Sequence, residues 1–135
     1  MNMRLVTAAA VLVSAAVHLY LWFDVFSGQA VIGPAFLLNA AGGLVIAVLL
    51  VRWRHWVPAL LALGFGVSTL GAFVVSATVG LFGVHEHWIG WPVWTAAASE
   101  VVAVVGGAVL LARTLPVGSR RELQHPSAAR RADLH

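Results

Sequence analysis

All eight basic side chains of this chain are arginines, and each lies between or beyond four long hydrophobic runs. Arg4 precedes the first run, Arg52 and Arg54 separate the second from the third, and Arg113 and the later arginines follow the fourth. Four membrane crossings would therefore place every arginine on one side, which the positive-inside rule assigns to the cytoplasm. The sequence predicts an all-α, four-helix transmembrane bundle with both termini cytoplasmic.

Composition excludes a soluble globule. Of the 135 residues, 61% are hydrophobic and 10% are charged, which leaves too little polar surface to face water. We expect a multi-pass protein of the cell membrane, and the absence of lysine beside abundant alanine and arginine favours a bacterial cytoplasmic membrane. The lack of cysteine excludes disulfides and iron–sulfur clusters.

The basic character of the chain comes from arginines that flank the hydrophobic runs and from a basic C-terminal segment. Such arginines favour anionic lipid headgroups as partners, and they do not indicate a nucleic acid. The predicted headgroup contacts are Arg52, Arg54, Arg113, Arg120 and Arg121.

The transmembrane domain is predicted to cover residues 1–112. Its four spans are expected at about residues 5–23, 34–51, 57–82 and 92–112, each near the twenty residues that a bilayer core requires. The third span is the longest and should loosen near Gly80 and Gly83.

Two further predictions concern the ends of the sequence. Residues 113–135 are basic and poor in apolar side chains, which is typical of a disordered cytoplasmic tail. At the other end, Ser14-Ala15-Ala16 resembles a signal-peptide cleavage site, but the apolar run continues beyond it to Phe23. We therefore expect the first run to be a span, with cleavage as the alternative.

The six tryptophans fall near the predicted membrane boundaries. Four lie at the outer boundary, namely Trp22, Trp88, Trp91 and Trp94, and Trp53 and Trp56 lie at the inner one. An indole ring with one polar N–H is most stable at the headgroup level, so this pattern predicts an aromatic belt. Binding-site aromatics are the alternative interpretation for the outer group.

The chain also contains a repeated segment. Residues 13–20 and 75–82 are identical at five of eight positions, and Ile-Gly shortly precedes a proline at the starts of spans two and four. This suggests a duplicated two-helix hairpin, in which His18 corresponds to Gly80.

Each predicted span carries one polar residue at a similar depth below the outer boundary: His18, Asn39, Ser76 and Glu100. Because an unpaired carboxylate is costly in hydrocarbon, we expect Glu100 to face the bundle interior, either protonated or paired. The first hypothesis is a buried His18–Glu100 pair assisted by Asn39 and Ser76. The alternative is a set of interhelical hydrogen bonds that only holds the helices together.

Small or polar side chains at helical spacing support inward faces on three spans. These stripes are Thr7, Ser14 and His18 on the first span; Asn39, Gly43 and Ala47 on the second; and Ala96, Glu100, Ala103 and Gly107 on the fourth. Small residues allow close helix approach, and they also favour packing with further helices.

The outer loop before the fourth span offers ligand candidates at His85, Glu86 and His87. His85 and His87 are candidate ligands for zinc or copper(II), with His18 or Glu100 completing the site from below. The sequence requires no cofactor and identifies none. It contains no recognisable nucleophile–base pair, phosphate loop or paired catalytic carboxylates, so no enzyme and no catalytic residue are predicted.

In length and four-span plan the chain resembles the DoxX-like group of small bacterial membrane proteins, a likeness of general layout that involves no specific motif. Small multidrug-resistance exporters are also four-helix proteins of similar length, with an essential glutamate in the first span. Here the first span has His18 and the glutamate is Glu100 in the fourth, so exporter chemistry is not carried over.

Three functions are predicted in order of preference. The first is an accessory or scaffold subunit that packs against a larger membrane complex or against copies of itself. The second is a proton-coupled carrier of a small molecule or ion that uses Glu100 and His18. The third is an outward-facing binder of a metal or small ligand.

Overall fold

The computed structural model describes residues 2–115, and over this range the chain is helical without a named strand. The four helices are α1 (Met3–Leu21), α2 (Ile32–Arg52), α3 (Trp56–Thr78) and α4 (Trp91–Thr114). A π-helical segment, Trp22–Phe26, extends α1. By length and composition, each of the four is suited to cross a membrane. The all-α, four-helix prediction is confirmed for this part of the chain.

The helices form a bundle in which α1 and α3 lie diagonally opposite each other. Extensive packing joins α1 to α2, α1 to α4 and α3 to α4, whereas α2 and α3 meet over a much smaller surface. Successive helices are antiparallel. Arg4 contacts the end of α2, and Gly107 near the end of α4 packs on Ala59 near the start of α3.

The bundle therefore has two different ends. We call one the arginine end, which carries Arg4, Arg52, Arg54 and Arg113, and the other the hairpin end, which carries residues 22–31 and 79–90. No arginine of the described residues lies at the hairpin end.

The interior is packed mainly with small side chains. Five of the nine residues in the buried apolar core are alanines, and many larger apolar side chains point outward. At Gly107 a Cβ atom would lie 2.7 Å from the backbone nitrogen of Leu63. This distribution is expected for helices surrounded by hydrocarbon, where close backbone approach replaces a core of large side chains.

At the arginine end, Arg4 holds three chain segments together. Its Nε donates to the carbonyl of Leu50 at 3.0 Å, and its Nη2 donates to the carbonyls of Trp53 at 2.7 Å and His55 at 3.2 Å. The bond to Leu50 satisfies one of the carbonyls that the end of a helix leaves without a partner. Arg4 therefore fixes the start of α1 against the α2–α3 turn.

The third helix ends earlier than the sequence predicted. The expected span was 57–82, but α3 ends at Thr78 and is followed by a tight hairpin. Leu81 and Val84 exchange backbone hydrogen bonds of 2.8 and 2.9 Å. Phe82 and Gly83 have φ of 49° and 83°, and positive φ at both central residues defines a type I′ turn. The glycines at 80 and 83 thus accompany a turn instead of a loosened helix.

The other spans differ from the predicted bounds by smaller amounts, mostly because the helices extend one or two residues further than the predicted spans. The repeated segments differ in local structure. Residues 13–20 are entirely helical, whereas residues 75–82 leave the helix after Thr78. Hairpin duplication remains a prediction. Of the predicted tail, residues 113–135, everything from residue 116 lies outside the described residues, including Arg120 and Arg121.

Candidate functional site

Glu100 lies inside the bundle and receives a hydrogen bond from the neighbouring helix. Ser14 Oγ on α1 donates to Glu100 Oε1 at 3.2 Å. Glu100 is 2% exposed and His18 is 8% exposed, and His18 Nε2 lies 4.0 Å from Glu100 Oε1. The structure therefore brings together His18 and Glu100, with Ser14 between their helices.

The imidazole of His18 is oriented by its own helix. Its Nδ1 lies 2.8 Å from the carbonyl oxygen of Ser14, and because a carbonyl oxygen only accepts, Nδ1 carries the proton in this contact. The other ring nitrogen, Nε2, is left to face Glu100. One face of the ring packs on Phe36, with ring centroids 4.9 Å apart.

His18, Phe36 and Glu100 line a cavity of about 560 Å³ at the hairpin end. Its polar residues are His18, Gln29, Thr69, Ser76, His85, Glu86 and Glu100, and most of the others are apolar, such as Phe26, Phe36 and Phe73. Binding sites for small molecules fall in this range of volume and combine apolar walls with a few polar groups. The cavity therefore has the size and lining of a small-molecule site.

The type I′ hairpin contributes part of the cavity wall on the side of the connecting loops. Ser76 Oγ donates to the carbonyl of Val84 at 3.0 Å, and the backbone N–H of Glu86 donates to the carbonyl of Ser76 at 3.3 Å. Ser76 thus lines the same cavity as Glu100 but hydrogen-bonds to the hairpin.

Asn39 hydrogen-bonds to α3 and not to His18 or Glu100. Its Nδ2 donates to Thr69 Oγ1 at 2.8 Å. Its Oδ1 is buried and has no hydrogen-bond partner in the described part of the chain. Of the four residues in the predicted polar layer, His18 and Glu100 face each other, while Asn39 and Ser76 bond elsewhere.

The three outer-loop candidates separate in space. His85 and Glu86 line the cavity, whereas His87 does not. The ring of His85 lies directly against Gly80, where a Cβ atom would come within 2.6 Å of it. Within residues 2–115 no group of three or more His, Cys, Asp or Glu side chains is arranged to hold a metal ion. The histidine pair is thus not joined by the further ligands that zinc sites use.

Ser14 and Thr69 both form hydrogen bonds in this site, but neither belonged to the polar layer predicted from the sequence. Ser14 had been assigned to an inward stripe only, although its position four residues before His18 places both on one helix face. Thr69 carried no comparable signal, because a threonine can also satisfy its hydroxyl on its own helix, as Thr69 does with the carbonyl of Phe65.

Comparison with known proteins gives no match, since neither a family model nor a curated protein nor a solved structure is significantly similar to this chain.

Proposed function

We propose that this chain is a multi-pass membrane protein that binds a small amphiphilic molecule in the cavity at the hairpin end. The polar group of the ligand would lie at Glu100 and His18, and its apolar body would contact the aromatic and aliphatic walls. The observation that carries the proposal is the cavity of about 560 Å³ with a buried carboxyl and an imidazole in its wall.

The free hydrogen-bonding capacity of the pair supports this role. Glu100 Oε2 and His18 Nε2 make no hydrogen bond within residues 2–115, yet neither is among the buried atoms without a partner, so both reach open space. The 4.0 Å between Nε2 and Oε1 is too long for a direct hydrogen bond. A ligand hydroxyl or ammonium can bond to both residues at once.

The distribution of arginines and tryptophans supports an orientation for the site. In this proposal the arginine end faces the cytoplasm, with Arg52, Arg54 and Arg113 exposed to anionic headgroups of a bacterial cytoplasmic membrane. The hairpin end, with Trp88, Trp91 and Trp94, then faces outward. The cavity would open in the outer half of the bilayer.

Ligand binding takes precedence over the accessory-subunit interpretation because of where the small residues lie. Gly43 and Ala47 of α2, and Ala103 and Gly107 of α4, pack inside the bundle and are not free for a further helix. Exposed small residues remain on the outer faces of all four helices, among them Ala16 on α1, Ala41 on α2, Gly64 on α3 and Ala98 on α4. An accessory role would use one of these outer faces and not the predicted stripes.

Proton-coupled transport of the same ligand is a second candidate, favoured by the orientation of His18. Because Nδ1 bonds to the carbonyl of Ser14, proton exchange at His18 is confined to Nε2, the atom that faces Glu100. A carboxyl and an imidazole so placed can relay a proton once a water or a ligand hydroxyl bridges the 4.0 Å between them. We assign no covalent reaction to the site.

The test is purification of the full chain from its native membranes, followed by native mass spectrometry to identify bound small molecules. We expect a ligand with the wild type and its loss with Glu100→Gln, while Asp24→Asn, a matched change of an exposed carboxylate outside the cavity, retains it. The proposal is wrong if the wild type carries no small molecule, or if Glu100→Gln retains the ligand as Asp24→Asn does. A protein that copurifies stoichiometrically without any ligand would support the accessory role instead.

A further inference from the structure

A second cavity of about 370 Å³ lies between α2 and α3 and meets the first one at His18. Both cavities are lined by His18, Ile32, Phe36, Thr69, Ala72 and Leu81. The second cavity adds residues on the outer surface of the bundle, including Ala35, Leu38 and Ser68. The two cavities therefore adjoin along these six residues, which defines a candidate path from the side of the bundle to His18 and Glu100.

The outer opening of this path faces sideways. Leu38 is 74% exposed, and Ala35, Ser68 and Ala72 are also exposed along the two helices. The opening lies where α2 and α3 meet over the smaller surface noted above. We call it the α2–α3 window, lined by Ala35, Leu38, Asn39, Ser68 and Ala72. In a membrane such a window opens to the acyl chains.

Fewer hydrogen bonds join α2 to α3 at the window than fix the hairpin to α3. Asn39 to Thr69 is the one side-chain hydrogen bond between α2 and α3 in residues 2–115. The hairpin is fixed to α3 by the bonds from Ser76 to Val84 and from Glu86 to Ser76, and closed by the Leu81–Val84 pair. Separation of α2 from α3 thus requires fewer broken hydrogen bonds than removal of the hairpin.

The charges at the hairpin end favour one kind of head group. Of the residues that line the two cavities, the formally charged ones are Glu86 and Glu100, both acidic, and the arginines of the described residues are at the opposite end of the bundle. The unpartnered Oδ1 of Asn39 adds a hydrogen-bond acceptor inside the window. Acceptors and carboxylates along the path are complementary to an ammonium group.

We infer that the α2–α3 window admits a single-chain amphiphile with an ammonium head from the bilayer to Glu100. This inference rests on the proposed function and specifies the ligand class and its route. The head would pass Asn39 and bond to Glu100 and His18, and the alkyl chain would remain in the window between Leu38 and Ala72.

The route is tested with a dodecylamine analogue that carries a photoreactive diazirine in its alkyl chain. The full chain is placed in zwitterionic lipid nanodiscs, irradiated with and without excess dodecylamine, and the adducts are mapped by mass spectrometry. We expect competable adducts at Leu38 and Ala72, and their loss in Ser68→Trp and in Ala35→Trp, which fill the window from opposite helices at positions that do not line the first cavity. Ala98→Trp, at an exposed position of α4, serves as the matched control and should keep them.

The outcomes separate the route from the site. Competable adducts confined to residues 81–86, unaffected by either window variant, would overturn the window and leave the binding cavity standing. Absence of competable adducts anywhere, with the variants and the wild type equally monodisperse, would overturn the ligand class. If the analogous carboxylate is captured as efficiently as the amine, the ammonium head is wrong. Loss of adducts in Ala98→Trp as well would show a general effect of added bulk and count against the window.

Discussion

Ser14 and Glu100 form the one side-chain hydrogen bond between α1 and α4 in the described residues, with 3.2 Å between Oγ and Oε1. The same Ser14 provides the carbonyl that orients His18. One residue therefore positions both members of the pair, and it does so while joining two helices. A substitution at Ser14 removes the hydroxyl that bonds to Glu100 but keeps the carbonyl that orients His18, so it should affect stability and ligand binding through Glu100.

We expect Ser14→Ala to lower the free energy of unfolding by about 1–3 kcal/mol, because Glu100 loses its donor in a buried site. In a Glu100→Leu background the same change should have much less effect, since no acceptor remains. Unfolding in mixed micelles with SDS, analysed as a double-mutant cycle, measures the coupling. Thr78→Ala, which removes an exposed hydroxyl bonded to its own helix, is the control. Equal losses in both backgrounds would show that the bond contributes nothing.

The close contact of α3 and α4 predicts that Gly107→Ala is destabilising. The new methyl group would lie 2.7 Å from Leu63 N and 3.0 Å from the carbonyl of Ala59, and both are backbone atoms that move only with the helix. Overpacking of this kind costs about 1–3 kcal/mol. Gly64→Ala is the matched control, because nothing lies within 4 Å of its added methyl group. Thermal unfolding in detergent should show a lowered midpoint for the first variant and an unchanged or raised one for the second.

The type I′ turn predicts opposite effects for two substitutions in the hairpin. Phe82 has a φ of 49°, a conformation that asparagine tolerates well, so Phe82→Asn should slow hydrogen exchange of the Val84 amide. Gly83→Val places a β-branched side chain at a φ of 83° and should accelerate the same exchange. Hydrogen exchange is measured over residues 81–86, with Ile89→Asn as a control outside the turn. If Phe82→Asn and Gly83→Val change the exchange of the Val84 amide in the same direction, the turn is not of type I′.

The predicted orientation can be tested directly because the chain has no cysteine. In intact cells, a membrane-impermeant maleimide should label His87→Cys but not Arg54→Cys, because the first lies at the hairpin end and the second at the arginine end. Both should be labelled after the membrane is permeabilised. The reverse pattern in intact cells would place the cavity on the cytoplasmic side.

The helices could be predicted because each hydrophobic run has the length that a bilayer crossing requires and is bounded by polar or charged residues, features that composition alone reveals. Equal depth along straight helices also placed His18 near Glu100. Depth alone does not fix the rotation of a helix about its axis, however. Asn39 therefore meets Thr69 on α3, a partner that no spacing indicated.

The end of α3 and the role of Ser76 were less predictable for a related reason. The apolar run continues through Leu81 and Phe82, so hydropathy alone extended the helix to residue 82. The turn depends instead on the positive φ at Gly80, Phe82 and Gly83 and on the hydroxyl of Ser76, which bonds to the carbonyl of Val84. These contacts exist only in the folded turn, and the hydropathy of the sequence does not contain them.

The three hydrogen bonds of Arg4 have a consequence for biosynthesis. They join the first helical turn to carbonyls of Leu50, Trp53 and His55, which are synthesised about fifty residues later. While these residues are still inside the ribosome, the guanidinium lacks all three of these acceptors. The contacts that fix the start of α1 can therefore form only after the turn between α2 and α3 has been synthesised, so the first helix of the chain depends on a segment made much later.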